Sequence, residues 1–160
     1  MYNIEETKAR LANDKKYMEL AFLEAKLAEE LKEVPVGAVV VSSSGEVLAS
    51  SGNRIISEKD PTAHAEILAI RKAALVLNSE RLVDCDLYVT LEPCAMCAAA
   101  ISFARINRLF FAAYDMKAGA VTHGVRFFES SSCNHSPEVV GGIEEKRASE
   151  ILKNFFSQKR

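Results

Sequence analysis

A Cys-x-x-Cys pair that directly follows a proline, in Pro93–Cys97, constrains this chain more than any other feature of its sequence. Proline is favoured in the first turn of a helix, so a helix is predicted to begin here, with Cys94 and Cys97 on one face. The partial positive charge at a helix N-terminus favours thiolates, the form of cysteine that binds metals. A second segment, His64–Glu66, is also predicted to open a helix, and it adds an imidazole and a carboxylate.

Together the two segments predict a zinc site with three protein ligands, His64, Cys94 and Cys97. Three protein ligands and one open position are typical of catalytic zinc, whereas structural zinc is usually enclosed by four ligands. The sequence has no further Cys-x-x-Cys motif or His pair to complete a closed site. Glu66, two residues after His64, is predicted to move a proton at a zinc-bound water without binding the metal. The sequence therefore predicts Glu66 as the catalytic acid and base.

Other interpretations of these residues stay open at this point. The cysteine pair alone fits a redox dithiol, although the thioredoxin-like context of such a pair is absent. The residues also fit two buried structural cysteines with a core histidine, or a purely structural zinc site. The combination of His-x-Glu with Pro-Cys-x-x-Cys is far more specific than either half, and it resembles the pattern of zinc deaminases that act on nucleobases.

The 160-residue chain is long enough for one domain with a single core, and we expect residues 1–160 to form one. Apolar periodicity predicts helices over 14–31, about 62–75, 93–103 and 144–158, and strands over 36–41, 46–51, 86–90 and 109–113. This order predicts an α/β fold, a three-layer α-β-α sandwich with a mixed central sheet. A hairpin comes first, and helix crossovers between parallel strands follow.

Two segments are harder to interpret from the pattern. Asp14 is the predicted N-cap of the first helix, and residues 1–13 are expected to be a short lead helix or a loosely ordered arm. The helix itself carries two apolar stripes, Leu20–Leu31 and Met18–Ala28, and we expect both to be covered. The segment 115–141 is rich in Gly, Ser and His and is predicted to be mostly loop.

Composition limits the partners and the compartment. A formal net charge of -2 argues against charge-driven, non-specific binding of nucleic acid, although a local basic patch stays possible. No apolar run is long enough to span a bilayer, and the acidic start lacks the features of a signal peptide, so we expect a cytoplasmic protein. Disulfides are not expected there, and Cys85 and Cys133 are predicted to be plain buried or loop thiols.

Beyond the metal motif, the sequence resembles the cytidine/deoxycytidylate deaminase superfamily, and within it the tRNA-specific adenosine deaminases. The likeness covers nearly the whole chain after about Lys15. It is carried by Glu33–Val39, Asp60–Ile67, Leu87–Cys97, Ala113–Ala120 and the tail containing Phe155 and Phe156. The resemblance implies a cytidine deaminase-like fold, one Zn²⁺ per subunit, a homodimer, and conversion of adenosine to inosine at the wobble position of a tRNA anticodon stem-loop.

The resemblance also implies roles for further residues. Asn53 and the backbone N–H of Ala65 are expected to bind the extruded base. Asp115 and Lys117 are expected to contact RNA, as are Phe155 and Phe156 of the tail. Glu92 is expected to brace the metal loop by hydrogen bonding rather than to act in catalysis. A local basic surface is expected at the entrance of the site and on the C-terminal tail. Its basic residues are Arg54, Lys59, Arg105, Arg108, Lys117, Arg126, Lys153, Lys159 and Arg160.

Departures from the family leave two alternatives. Tyr114 stands where relatives often carry Arg or Gln, Ala118 stands where many have Thr or Gly, and the stretch 130–135 differs from the common form. One alternative is a deaminase of free guanine, cytosine or a nucleoside, with the same metal chemistry. The other is a non-catalytic zinc domain that only binds RNA or a partner, which the intact Glu66 disfavours.

Overall fold

Short apolar runs form the strands of a mixed sheet in this computed structural model, which describes residues 3–159. The helices are α1 (Ile4–Glu30), α2 (Ile55–Glu58), α3 (Ala65–Leu77), α4 (Ala95–Phe103) and α5 (Glu145–Ser157). The strands are β1 (Gly37–Val41), β2 (Val47–Gly52), β3 (Asp86–Leu91), β4 (Arg108–Ala113) and β5 (Glu138–Gly141). A single 3-10 turn, Phe127–Glu129, interrupts the long segment between β4 and β5.

The sheet has the order β2-β1-β3-β4-β5 and confirms the predicted three-layer sandwich. β1 is antiparallel to both β2 and β3, while β3, β4 and β5 run parallel to one another. Alternate strand residues face opposite layers: Val40 packs with α3 and α4, and Val39 packs with α1 and α5. No helix within residues 3–159 combines the length and the apolar character needed to cross a bilayer.

The first helix starts earlier than predicted. Asn3 caps it by accepting a hydrogen bond from the Glu5 N–H (3.0 Å), and residues 4–13 are helical; residues 1 and 2 lie outside the described range. The prediction that Asp14 is the N-cap is wrong, because its carboxylate instead accepts a hydrogen bond from the Tyr88 hydroxyl (2.7 Å). The expectation that both apolar stripes are covered is also wrong: the Met18–Ala28 stripe is buried, but Leu23 is 57% exposed.

The segment between β4 and the last helix contains more regular structure than the composition predicts. β5 pairs in parallel with β4 at the sheet edge, with Arg108 opposite Glu138 and Phe111 opposite Gly141. Its four residues alternate between exposed and half-buried, so they form no apolar run. Such a short edge strand is specified by its pairing with β4 rather than by its own sequence.

Glu92 fixes the loop that follows β4. Its side chain is buried, and its carboxylate accepts six hydrogen bonds from that loop. The donors are the backbone N–H groups of Asp115 (3.2 Å), Val121 (3.3 Å), Thr122 (3.1 Å) and His123 (3.1 Å), the Thr122 hydroxyl (3.0 Å) and His123 Nδ1 (2.8 Å). Gly119 passes so close that an added Cβ would lie 2.4 Å from Glu92 Oε2. Glu92 thus ties the loop after β4 to the segment leading into α4.

The same contacts set the pKa of Glu92. Burial raises the pKa, but the hydrogen bonds from His123 Nδ1, the Asp115 N–H and Thr122 outweigh burial and hold the pKa below its usual value of 4.5. The ionised form of Glu92 is therefore bound more tightly in the folded protein than in the unfolded chain.

Glu92→Gln is expected to lower the free energy of unfolding by about 2 kcal/mol at neutral pH, because each hydrogen bond to a charged group contributes about 1.5–3 kcal/mol. A lowered folded-state pKa means that this stabilisation is complete above the unfolded pKa and is lost as the pH falls through the folded value. Denaturant unfolding should therefore show a difference between the two proteins that shrinks below about pH 4.5.

The exposed Glu46→Gln is the matched control and should leave the free energy of unfolding unchanged. A difference between wild type and Glu92→Gln that is equal in size on both sides of the unfolded pKa would show that the charge of Glu92 is not what holds the loop.

Candidate active site

Two helix N-termini bring the three predicted metal ligands together. His64 is the N-cap residue of α3, Cys94 is the N-cap residue of α4, and Cys97 lies in the first turn of α4. Both cap residues have extended backbone, with ψ 151° at His64 and ψ 175° at Cys94. The chain therefore turns sharply from loop into helix at each of them. α3 and α4 contribute to one core cluster on the same face of the sheet, which aligns their first turns.

The distances fit a tetrahedral metal ion. His64 Nδ1 lies 3.7 Å from Cys94 Sγ and 3.5 Å from Cys97 Sγ, and all three ligand atoms lie within 4.8 Å of one another. Zinc–sulfur and zinc–nitrogen bonds of about 2.3 and 2.0 Å at tetrahedral angles place a sulfur about 3.5 Å from a nitrogen. Two thiols and one imidazole are also the donor types that zinc prefers. The arrangement therefore fits a zinc ion with three protein ligands.

The two thiols of the site differ in pKa. The pKa of Cys94 falls to about 4, because its thiolate accepts a hydrogen bond from the Cys97 thiol, and His64 contributes a further hydrogen bond. The same bond to Cys94, together with burial, raises the pKa of Cys97, and the Cys94 contact raises the pKa of His64. A divalent cation between the two sulfurs favours the thiolate form of both.

Glu66, the second residue of α3, lies beside this cluster. Its side chain is only 4% exposed, and burial raises its pKa to about 7. A carboxyl group with a pKa near neutrality can both accept and release a proton at physiological pH. Glu66 therefore has the location expected of a general acid and base.

The cluster opens into a cavity of about 820 Å³. His64, Glu66 and Cys94 line it together with residues of the β1 entry, the loop before α2, the loop after β4 and helix α5. These further lining residues are Val34, Val36, Asn53, Ile55, Leu91, Glu92, Tyr114, Asp115, Met116, Lys117, Ala118, Leu152 and Phe156. The volume lies in the range of pockets that take a small organic ligand.

Asn53, which lines this cavity, contacts the start of α3 at Ala65. Asn53 Oδ1 accepts a hydrogen bond from the Ala65 N–H (2.8 Å), and Asn53 is only 6% exposed. The Ala65 N–H therefore has a partner inside the protein, and its expected contact with the base stays a prediction. Because the oxygen of the amide is occupied, Asn53 offers the cavity its NH₂ donors.

The remaining predicted contacts divide into two groups. Asp115, Lys117 and Phe156 line the cavity, and Phe156 is 52% exposed. Asp115 Oδ1 also accepts hydrogen bonds from the Lys117 and Ala118 N–H groups (3.1 and 2.9 Å), which shapes the turn. Phe155 is only 5% exposed and packs in the core, so the structure does not bring it to the cavity.

The predicted basic patch is only partly assembled. Lys117 is the basic residue that lines the cavity within residues 3–159. Arg108 lies at the opposite end of β4 and pairs with Asp86 (2.5 Å), so its placement near the mouth is wrong. Lys159 sits over the Phe155 ring at 4.5 Å, and Arg160 lies outside the described residues.

Sequence reasoning missed one part of the site, the network that holds its loop. His123 is predicted as a loop residue, yet its ring lies against Glu92 and 6.0 Å from the ring of Tyr114. The buried acid directly before Pro93 is the one signal from which this partnership could have been suspected, because a buried carboxylate needs several donors.

Comparisons with known proteins agree with the geometry. Residues 11–113 match the family model described as "cytidine and deoxycytidylate deaminase zinc-binding region". The "tRNA-specific adenosine deaminase" of Agrobacterium fabrum is 57% identical over 144 residues, which cover 90% of this chain and 94% of that protein.

Two solved structures are similar as well. One comes from studies of A-to-I editing by tRNA:A34 deaminases at the wobble position of transfer RNA. It is 56% identical with a TM-score of 0.84, covering 86% of this chain and 99% of that one. A guanine deaminase from Bacillus subtilis is 32% identical with a TM-score of 0.60, covering 73% of this chain and 85% of that one. The chain belongs to the cytidine and deoxycytidylate deaminase family, and within it to the tRNA-specific adenosine deaminases.

Proposed function

We propose that this protein is a zinc-dependent hydrolase that converts adenosine to inosine at the wobble position, residue 34, of tRNA anticodons. The observation that carries the proposal is the placement of the buried Glu66 beside His64, Cys94 and Cys97, at a cavity of about 820 Å³. A carboxylate that is not a ligand, next to a three-ligand metal site with room for a base, suits hydrolytic deamination.

His64, Cys94 and Cys97 would hold the metal, one ion per chain. When bound, zinc supplies Lewis acidity that makes a water nucleophilic at neutral pH. Glu66 would take one proton from the attacking water and pass it to N1 of the adenine ring, while the water oxygen forms a bond to C6. Glu66 would then take the second proton from the new C6 hydroxyl and deliver it to the amino group, so that the C6–N bond breaks, ammonia leaves and C6 keeps the oxygen as a carbonyl. Adenosine and water thus give inosine and ammonia.

The site requires a base that has left its stack. Glu66 and Cys97 are almost fully buried, so the reacting carbon must enter the cavity rather than meet the metal at the surface. An anticodon loop is a suitable source because its bases are unpaired and can be splayed out. Asn53, whose NH₂ faces the cavity, would donate to an acceptor on the base edge.

The tRNA substrate is supported by the relatives rather than by the metal site. The metal chemistry is the same for a free base, and the similarity to the Bacillus subtilis guanine deaminase favours this alternative. The greater identity to the tRNA-specific adenosine deaminase of Agrobacterium fabrum, over 94% of its length, favours tRNA.

Several further properties belong to the same proposal. The whole chain acts as one deaminase domain, in the cytoplasm where tRNA is modified and used. It pairs as a homodimer through the helices near the metal site. This pairing is supported by large apolar side chains that remain uncovered at the ends of α3 and α4, Leu75 at 82% and Phe103 at 67% exposure. Sedimentation equilibrium at micromolar concentration tests the dimer.

The activity is tested by inosine formation and ammonia release from a zinc-loaded preparation. The substrates are an anticodon stem-loop with adenosine at the wobble position, the same stem-loop with guanosine there, and free adenosine, cytidine and guanine. Turnover of the adenosine stem-loop alone is expected. Turnover of only a free base or nucleoside would contradict the tRNA assignment, and no turnover of any substrate would favour a non-catalytic zinc domain.

Glu66→Gln is expected to abolish turnover while zinc stays bound, because Glu66 moves protons without binding the metal. Metal analysis should find the same zinc content as in the wild type, whereas Cys97→Ser should lose zinc and activity together. Measurable turnover in Glu66→Gln, or loss of its zinc, would contradict the role assigned to Glu66.

Asn53→Asp separates the two functions of the Asn53 amide. The variant keeps an oxygen for the Ala65 N–H but replaces the NH₂ donor with a second acceptor. A mispaired polar group in a buried site costs about 1–3 kcal/mol, so kcat/KM for the stem-loop should fall about 5- to 100-fold. Asn13→Asp, on the exposed side of α1, is the control for the added charge. Unchanged kcat/KM in Asn53→Asp would remove Asn53 from base recognition.

A further inference from the structure

Tyr114 is an aromatic residue at the mouth of the cavity that the mechanism does not use. It directly follows β4, lines the cavity that contains Glu66 and the metal ligands, and is 39% exposed. Its hydroxyl makes no hydrogen bond to the part of the chain between residues 3 and 159. The exposed part of the side chain is thus available to a ligand, and no polar contact explains its position.

The ring is held in place by its neighbours. Phe111 meets it edge-on, with ring centroids 5.2 Å apart and an interplanar angle of 88°. His123 approaches at 6.0 Å and 74° and is itself bound to the buried Glu92. Gly142 lies beneath the ring, where an added Cβ would come within 3.4 Å of Tyr114 Cε2 and Oη. A ring fixed in this way loses little conformational entropy when a ligand packs on it.

Two further apolar side chains border the same opening. Phe156 is 52% exposed and Met116 is 83% exposed, and both line the cavity with Tyr114. The site takes an extruded base, and the apolar surface at its entrance can pack against the bases that flank the extruded one. Those bases lose their stacking partner when the target base leaves.

We infer that Tyr114 is a stacking platform for a nucleobase next to the target adenosine. The inference rests on the proposed function, because a free base has no neighbour to stack. Aromatic stacking accepts any base, so Tyr114 contributes to binding a loop rather than to choosing its sequence. The role assigned to Tyr114 is in binding, so we expect it to affect KM rather than kcat.

The test is a double-mutant cycle that combines a change in the protein with a change in the RNA. Wild type, Tyr114→Phe and Tyr114→Leu are each assayed with the intact stem-loop and with stem-loops that carry an abasic site on the 5′ or the 3′ side of the target. Tyr114→Phe should stay within about twofold of wild type. Tyr114→Leu, which keeps apolar bulk but lacks the ring, should raise KM about 5- to 100-fold at unchanged kcat. At one of the two flanking positions, the abasic site should raise the KM of wild type by the same factor as Tyr114→Leu does. The same abasic site should not raise the KM of Tyr114→Leu any further.

The outcomes separate the inference from the proposed function. Absence of turnover of the intact stem-loop by wild type contradicts the proposed function. A second outcome is normal turnover by wild type, with increases in KM from Tyr114→Leu and from each abasic site that multiply independently. This outcome overturns the role of Tyr114 as a platform and leaves the proposed function standing. If Tyr114→Leu is unfolded by circular dichroism, the wild-type data decide: equal KM for the intact and both abasic stem-loops also overturns the platform.

Discussion

The chemistry of this protein depends on two helices that begin side by side on one face of a sheet. α3 and α4 each start with a metal-binding residue in extended conformation, and the next turn supplies Glu66 on one helix and Cys97 on the other. Residues at the start of a helix are fixed by the helix behind them, and the packing of both helices on the sheet sets their separation. The donor atoms lie within 4.8 Å of one another for this reason, without a dedicated loop to gather them.

A second constraint acts on the opposite wall of the cavity. The loop after β4 exposes Met116 (83%), while Val121 packs in the core cluster. The buried carboxylate of Glu92 also holds this loop, with six hydrogen bonds. Glu92 lies two residues before Cys94, so one short segment carries both a metal ligand and the anchor of the substrate-side loop. A change in the structure of this loop is therefore expected to alter the structure close to the metal site.

The parts of the fold that the sequence predicts are those with strong local signals. The apolar runs of β1, β3 and β4 and the proline before α4 place the sheet and the helix that carries Cys94. The start of α1 has no such signal, because residues 4–13 are exposed and mostly polar. Asp14 has the residue type of an N-cap, but its carboxylate accepts a hydrogen bond from the Tyr88 hydroxyl. β5 is four residues long and owes its existence to its pairing with β4. The ligand set follows from residue types and spacing, whereas the burial of Phe155, the use of the Ala65 N–H by Asn53 and the contacts of His123 depend on three-dimensional neighbours.

The most direct measurement is X-ray absorption at the zinc edge of the metal-loaded protein, for wild type and Glu66→Gln. We expect two sulfur neighbours at about 2.3 Å, one imidazole nitrogen, and one light atom from solvent, with no change in Glu66→Gln. A third sulfur or a second imidazole would mean a closed, structural site. A carboxylate oxygen that disappears in Glu66→Gln would mean that Glu66 is a ligand and is not free to move protons.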